Sequence, residues 1–164
     1  KRVNGRRRVV SQNHRLLFHV AQKPTRSVAS TSHPGGFERH LSRLHSDRAH
    51  EIDVIEVLGQ DPNTAHLTLH FPKNGEKWKD DKAGEKIKGT DLSADFNTYA
   101  VKWEPQQVTW YINGVERFRT DKTSSEPMYL LATLALGGNW AGPPDDKTPF
   151  PAYMDIDYIR VYQQ

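Results

Sequence analysis

Cysteine is absent from the 164 residues, which excludes disulfides and thiolate metal sites. Long apolar runs are missing as well. No stretch approaches the roughly 18 consecutive apolar residues of a membrane-crossing helix, so no membrane partner is expected. The first fifty residues contain neither Trp nor Tyr, although the chain as a whole has 4 Trp and 6 Tyr. The chain also begins at Lys1 without a Met or an apolar leader, as expected of a mature form or a fragment.

What is present suits one soluble domain: 35% of residues are hydrophobic and 26% charged. The net charge of +3 conceals an asymmetry. Residues 1–50 carry eleven Lys and Arg against Glu38 and Asp47, and six of the eight His. The remainder carries twelve basic and eighteen acidic residues. Residues 1–49 are therefore set apart as a basic, Arg/His/Ser-rich segment. Within it, Phe37, Leu41 and Leu44 have helical spacing, predicting a short amphipathic helix near 37–46. His40, His45 and His50 recur every five residues. A helix would offset them by about 140° per step, so they would not converge on a metal. The basic excess could attract a polyanion, but the segment has no nucleic-acid-binding motif and nucleic acid is not an expected partner.

From Glu51 onward the chain reads as a β protein. Glu51–Leu58, His66–Phe71, Thr98–Glu104, Val108–Ile112, Val115–Arg119, Met128–Leu136 and Tyr153–Gln163 are short, rich in β-branched and aromatic residues, and bounded by Gly, Pro, Asn and Asp. Asn113-Gly114 supplies the two positive-φ residues of a type I′ turn and predicts a hairpin. The segment Lys73–Asp95 balances six acids with six lysines, and reads as a solvated loop or an exposed edge hairpin. This series of strands predicts an all-β sandwich or jelly roll.

The stretch EIDVIE, residues 51–56, places three carboxylates within an apolar run. Alternation puts Glu51 and Asp53 on one face and Ile52 and Val54 on the other. It would also send Ile55 to the acidic face and Glu56 to the apolar one. A β-bulge after Asp53 would reverse that and align all three acids. Their mutual repulsion would raise at least one pKa, as a general acid requires. Two carboxyls about 5–5.5 Å apart suit a retaining glycosidase. A solvated acidic strand or a site of hard oxygen ligands for calcium is the alternative from these six residues alone.

EIDVIEVLG resembles the E-x-D-x-x-E signature of glycoside hydrolase family 16, the laminarinase and lichenase group. The likeness continues in order through HLTLHF, DFNTYAVKWEPQQVTWYINGVERF, PMYLLATLALGGNWAG and PDDKTPFPAYMDIDYIRVYQ. LGQDPNT, PMYLLA and PDDKTPFP particularly resemble bacterial exopolysaccharide endo-β-glycanases such as the succinoglycan depolymerases. The resemblance covers about residues 50–163, so 50–164 is expected to be the C-terminal part of a catalytic domain. It implies a concanavalin-like jelly-roll β-sandwich, incomplete or aberrant at its N-terminal side because residues 1–49 resemble no part of the family.

The resemblance also implies a retaining, endo-acting hydrolysis of β-1,3/1,4-linked glucan or a bacterial exopolysaccharide. Glu51 would be the nucleophile, Glu56 the acid/base and Asp53 the group that tunes Glu51. His70 matches a family histidine near the cleft. Trp103 and Trp140 are candidates to stack on sugar rings, Trp140 the better placed after a Gly-Gly break, whereas Trp110 in the hairpin reads as core. Thr133 stands where the family usually has a cleft asparagine, so a hydroxyl replaces an amide there. Asp157 resembles a family ligand of structural Ca²⁺; no cofactor is otherwise required. A monomeric, secreted enzyme acting on polysaccharide is the expectation. The alternatives are a non-catalytic or defunct carbohydrate-binding jelly roll and a polyanion-binding protein acting through the basic segment.

Overall fold

The computed structural model describes residues 9–10, 16–24, 37–45, 50–73, 76–89, 91–146, 148 and 150–163; for those before 50, for 76–80 and for 163 the backbone alone is described. Among the described residues every regular element is a strand. They run β1 (Val9–Val10), β2 (Leu16–Pro24), β3 (Phe37–His45), β4 (Glu51–Leu58), β5 (Asp61–Lys73), β6 (Glu76–Lys88), β7 (Asn97–Glu104), β8 (Gln107–Ile112), β9 (Val115–Thr120), β10 (Met128–Leu136) and β11 (Met154–Gln163). Two antiparallel sheets result, ordered β1-β10-β3-β4-β5-β6 and β11-β2-β7-β8-β9. Their apolar faces meet. Ile52, Ile55, Leu67 and Leu69 of the first sheet join Tyr99, Val101, Trp103 and Trp110 of the second in one core.

The β8–β9 hairpin forms as its turn chemistry predicts, with Asn113 at φ 51° and Gly114 at φ 77°. The Asn113 side chain also accepts a 2.9 Å hydrogen bond from the Thr98 amide, tying the turn to β7. The neutral segment after Lys73 becomes β6, which pairs with β5 at the open edge of the first sheet. Of its two expected forms, the edge hairpin is the one found.

Two expectations for the first fifty residues are corrected. Residues Phe37–His45 form strand β3, not a helix, and pair with β10 on one side and β4 on the other. Two ladders of backbone hydrogen bonds outweigh three apolar residues at helical spacing, since local propensity yields to tertiary context. Leu16–Pro24 likewise enters the second sheet between β11 and β7. The N-terminal stretch, expected to leave the sandwich short of strands, supplies one interior strand to each sheet.

The bulge in EIDVIE is present. Between Asp53 and Glu56 the register against β5 shifts, three residues of β4 spanning two of β5. On the other side β4 and β3 stay in constant register, while β3 itself shifts against β10 between residues 43 and 40. The extra residue is thus shared by two neighbouring strands. Its effect on burial is decisive: Ile55 and Val54 are both buried with Ile52 and Val57. Fully burying one such side chain is worth about 1.5–3 kcal/mol. Unbulged alternation would expose Ile55 and push the Glu56 carboxylate into the core.

The bulged strand is also tied to the opposite sheet by a side-chain hydrogen bond to its backbone. The Trp110 indole N–H donates to the Asp53 carbonyl oxygen at 2.8 Å, with both residues fully buried. Trp110 also packs on Phe118, ring centroids 5.1 Å apart. Trp110→Phe keeps most of the packing but removes that hydrogen bond. It is expected to lower unfolding free energy by about 1–3 kcal/mol, measured by urea titration; an unchanged midpoint would mean the bond contributes nothing.

Candidate active site

Strand β4 lies fourth of six in its sheet, with partners on both sides. Glu51 stands opposite His70 of β5, Asp53 opposite Thr68 and Glu56 opposite His66. Opposed residues of an antiparallel pair project to the same face, so the three acids share one face with two histidines and a threonine. That face is turned away from the core, whose side chains occupy the alternate positions. In the other direction His45, Arg43 and His40 occupy the register positions opposite Glu51, Asp53 and Glu56.

The three acids have different surroundings. Asp53 is fully buried, Glu56 nearly so, and Glu51 half-buried. The His70 Nε2 lies 3.2 Å from Asp53 Oδ2. That contact is close enough for charge attraction but lacks hydrogen-bond alignment, since neither Asp53 carboxyl oxygen has an aligned partner. Glu51, Asp53 and His70 each place a ligand-type atom within 4.8 Å of the others. Burial pushes the Asp53 carboxyl up to about 7; His70 opposes this, while the charges of Glu56 and Glu51 add to it. Asp53 is therefore about half protonated at neutral pH. The Thr68 hydroxyl reaches Glu56 Oε2 only at the long limit, 3.5 Å.

At the Glu56 end, the His66 ring meets Trp140 edge-on, centroids 4.7 Å apart and planes at 89°. Burial lowers the His66 pKa and Lys86 lowers it further, against the pull of Glu56 and Asp61. A neutral imidazole is the resulting state at pH 7. Trp140 belongs to a loop with positive-φ glycines at 137, 138 and 142. Gln60, in the β4–β5 turn, donates to the Ala141 carbonyl at 3.2 Å and pins that loop beside β4.

The residues singled out from sequence divide as follows. Glu51, Asp53, Glu56 and His70 come together, and Trp140 joins them through His66 while remaining 40% exposed. Thr133 is half-buried on β10, in the cross-strand row Thr133–His40–Glu56–His66. Trp103 requires correction as a sugar platform. It is fully buried between the sheets, its indole N–H donating to the Ser124 carbonyl at 3.0 Å. Its position in the β7 alternation places it on the core face with Tyr99 and Val101. Asp157 is exposed at a bulge of β11 between Ile156 and Tyr158, and belongs to no group of three candidate ligands among the described residues. The side chains of the basic segment lie outside the described residues, and its polyanion reading with them.

His66 and Thr68 are further members of the site that the sequence reading lacks, although with His70 they occupy alternate positions, and hence one face, of β5. A further signal was available in spacing. HLSRLH, residues 40–45, mirrors EIDVIE in the spacing of its His and Arg residues, with intervals of three and two against two and three for the acids. Mirrored intervals are what an antiparallel pair with a shared bulge requires.

A two-sheet antiparallel sandwich with acids aligned at mid-sheet on its outward face is a jelly-roll arrangement. The sequence profile described as glycosyl hydrolases family 16 matches residues 13–160. The chain belongs to that family. The endo-1,3-1,4-beta-glycanase EglC of Rhizobium meliloti (strain 1021) is 39% identical over 114 residues, covering 68% of this chain and 23% of that protein. A beta-glucanase of Rhodothermus marinus is 30% identical over 127 residues, covering 69% of this chain and 44% of its own length. The chain thus spans about a quarter of the first relative and under half of the second. Among solved structures, the endo-beta-1,3-glucanase of Pyrococcus furiosus superposes with a TM-score of 0.76 at 26% identity, covering 94% of this chain and 62% of that one. Both the profile match and the superposition take in strands upstream of residue 50.

Asp53 generates a pH signature. Its folded pKa is raised to about 7 from 3.8. The folded chain thus holds this proton more tightly than the unfolded chain. The contribution is fully present below about pH 4 and lost as pH rises to about 7, beyond which the loss is constant. Thermal melts across pH 4–8 should show wild type losing stability over that window relative to Asp53→Asn. Parallel curves for the two proteins would contradict the raised pKa.

Proposed function

We propose that the chain acts as an endo-β-glycanase that cleaves β-1,3/1,4-linked glucan or a related exopolysaccharide with retention at the anomeric carbon. The observation that carries this reading is the bulge, which brings Glu51, Asp53 and Glu56 to one face at the centre of a sheet. In the first step a Glu51 oxygen attacks the anomeric carbon while Glu56 gives its proton to the departing glycosidic oxygen. A glycosyl ester on Glu51 results. Glu56, now ionised, takes a proton from water, whose oxygen attacks the same carbon and releases Glu51. Charge and atoms balance with two carboxyls and one water, so the reaction calls for no cofactor.

Asp53 acts on Glu51 instead of on the sugar. Protonated and buried within 4.8 Å of it, Asp53 offers a hydrogen rather than a third negative charge. That leaves Glu51 ionised as the nucleophile. His70 sits in the Glu51 row and can bond a sugar hydroxyl, as can Thr133 in the Glu56 row. Trp140 offers an exposed indole beside that row, suited to the C–H face of a pyranose. A polymeric substrate that cannot enter a cell is consistent with secretion of a monomeric enzyme.

Reducing-sugar release from laminarin, lichenan and an acidic exopolysaccharide tests the reading. Glu56→Gln should lower kcat roughly 100- to 10,000-fold, the range for loss of a general acid/base, and Glu51→Gln should abolish turnover. Proton NMR of the first products should show the β anomer. Turnover surviving in Glu51→Gln, or an α product, would remove the double-displacement assignment. Binding without any hydrolysis by wild type would instead identify a carbohydrate-binding sandwich.

A further inference from the structure

The segment around β6 is neutral when summed along the chain, yet the strand sorts its charges by face. In DKAGEKIK, residues 81–88, acids and lysines alternate with a period that matches the pleat. Asp81, Ala83, Glu85 and Ile87 pair with Phe71, Leu69, Leu67 and Ala65, the core-side positions of β5. Lys82, Gly84 and Lys86 pair with His70, Thr68 and His66. They therefore extend the rows of Glu51, Asp53 and Glu56, on the same face and two strands away, at about 10 Å. Both lysines are exposed. Their charges are felt at His66, whose protonation both disfavour, so the ammonium groups act on the side of the carboxylates. The acids have other work: Asp81 and Glu85 accept the outward amides of Lys82 and Lys86 at 2.9 and 3.1 Å, covering the sheet edge.

Between the lysines the surface is open by necessity. A Cβ at Gly84 would stand 2.7 Å from the Leu67 carbonyl oxygen, so no side chain fits there. The outcome is a notch floored by Gly84 and Thr68 and flanked by two lysines whose Cα atoms are about 13 Å apart along the strand.

We propose that this notch receives an anionic group carried by the glycan chain lying across Glu51 and Glu56, making the preferred substrate an acidic β-glycan and not a neutral one. The proposal rests on the glycanase reading and deepens it. Lysines recognise such a group as point charges, so a carboxylate and a sulfate satisfy the same chemistry.

Carboxymethylated, sulfated and unmodified β-1,3-glucan distinguish these sources. Wild type should show a higher kcat/KM on one or both acidic polymers than on the unmodified one, with the advantage shrinking as salt rises. In Lys82→Gln/Lys86→Gln the ratio of acidic to neutral kcat/KM should fall about three- to tenfold, the scale of two exposed charge pairs. Lys82→Glu/Lys86→Glu should lower it further. A ratio unchanged in both variants, with melting temperatures preserved, overturns the proposal. Affinity electrophoresis in the same three polymers reads the notch without catalysis. If wild type hydrolyses nothing, lysine-dependent retardation by the acidic polymers still supports the notch, and equal mobility in all three removes it. A preference for the sulfated polymer alone would name sulfate as the group; for the carboxymethylated alone, carboxylate.

Discussion

The hydrogen bond from the Trp110 indole to the Asp53 carbonyl is the constraint on which the site depends, because it joins the two sheets at the bulge that aligns the acids. A bulge leaves backbone groups without ladder partners, and an orphaned buried carbonyl costs about 1–3 kcal/mol. Burial of Ile55 returns about the same amount. With the carbonyl satisfied from below at 2.8 Å, the balance favours the bulged form, and the acids are delivered together to the outer face. Packing and chemistry are therefore one problem here. The choice that buries Ile55 is the choice that brings Glu56 out.

Once aligned, the acids are separated by environment. Asp53 sits deepest and holds a proton near neutrality because burial outweighs the contact with His70. Glu51 and Glu56 lie to either side, each opposite a histidine of β5. His66 is kept neutral by burial and by the lysines beyond it. Across three strands the face thus passes from carboxylates, through imidazoles, to ammonium groups. Such a gradient orients a chain carrying its own charge.

Much of this was legible in local sequence. The Asn113-Gly114 turn, the strand limits of Glu51–Leu58 and Met128–Leu136, and the bulge itself followed from positive-φ chemistry and from the pattern of apolar and acidic residues. What was not legible depended on partners distant in the chain. Residues 37–45 carry apolar residues at helical spacing, and only pairing with β10 and β4 makes them a strand. Trp103 could have faced either way until its alternation was set against Tyr99 and Val101. The lysines of β6 were cancelled by their neighbours in a sum along the chain, although a two-residue period separates them. Net charge per segment is a poor guide wherever the segment is a strand.

The bulge shared by β3 and β4 has a consequence for how such a site can change over generations. Losing one residue from Val54-Ile55 would bring residues 51–56 of β4 into step with β5 and throw them out of step with β3. Losing one from the facing part of β3 would do the reverse. Neither deletion alone keeps this stretch of β4 in step with all its neighbours; only both together do, and the two lie more than ten codons apart. The spacing of the acids is thus guarded by a double lock. Single substitutions can tune the chemistry around Glu51 and Glu56, but altering their spacing demands two coordinated events.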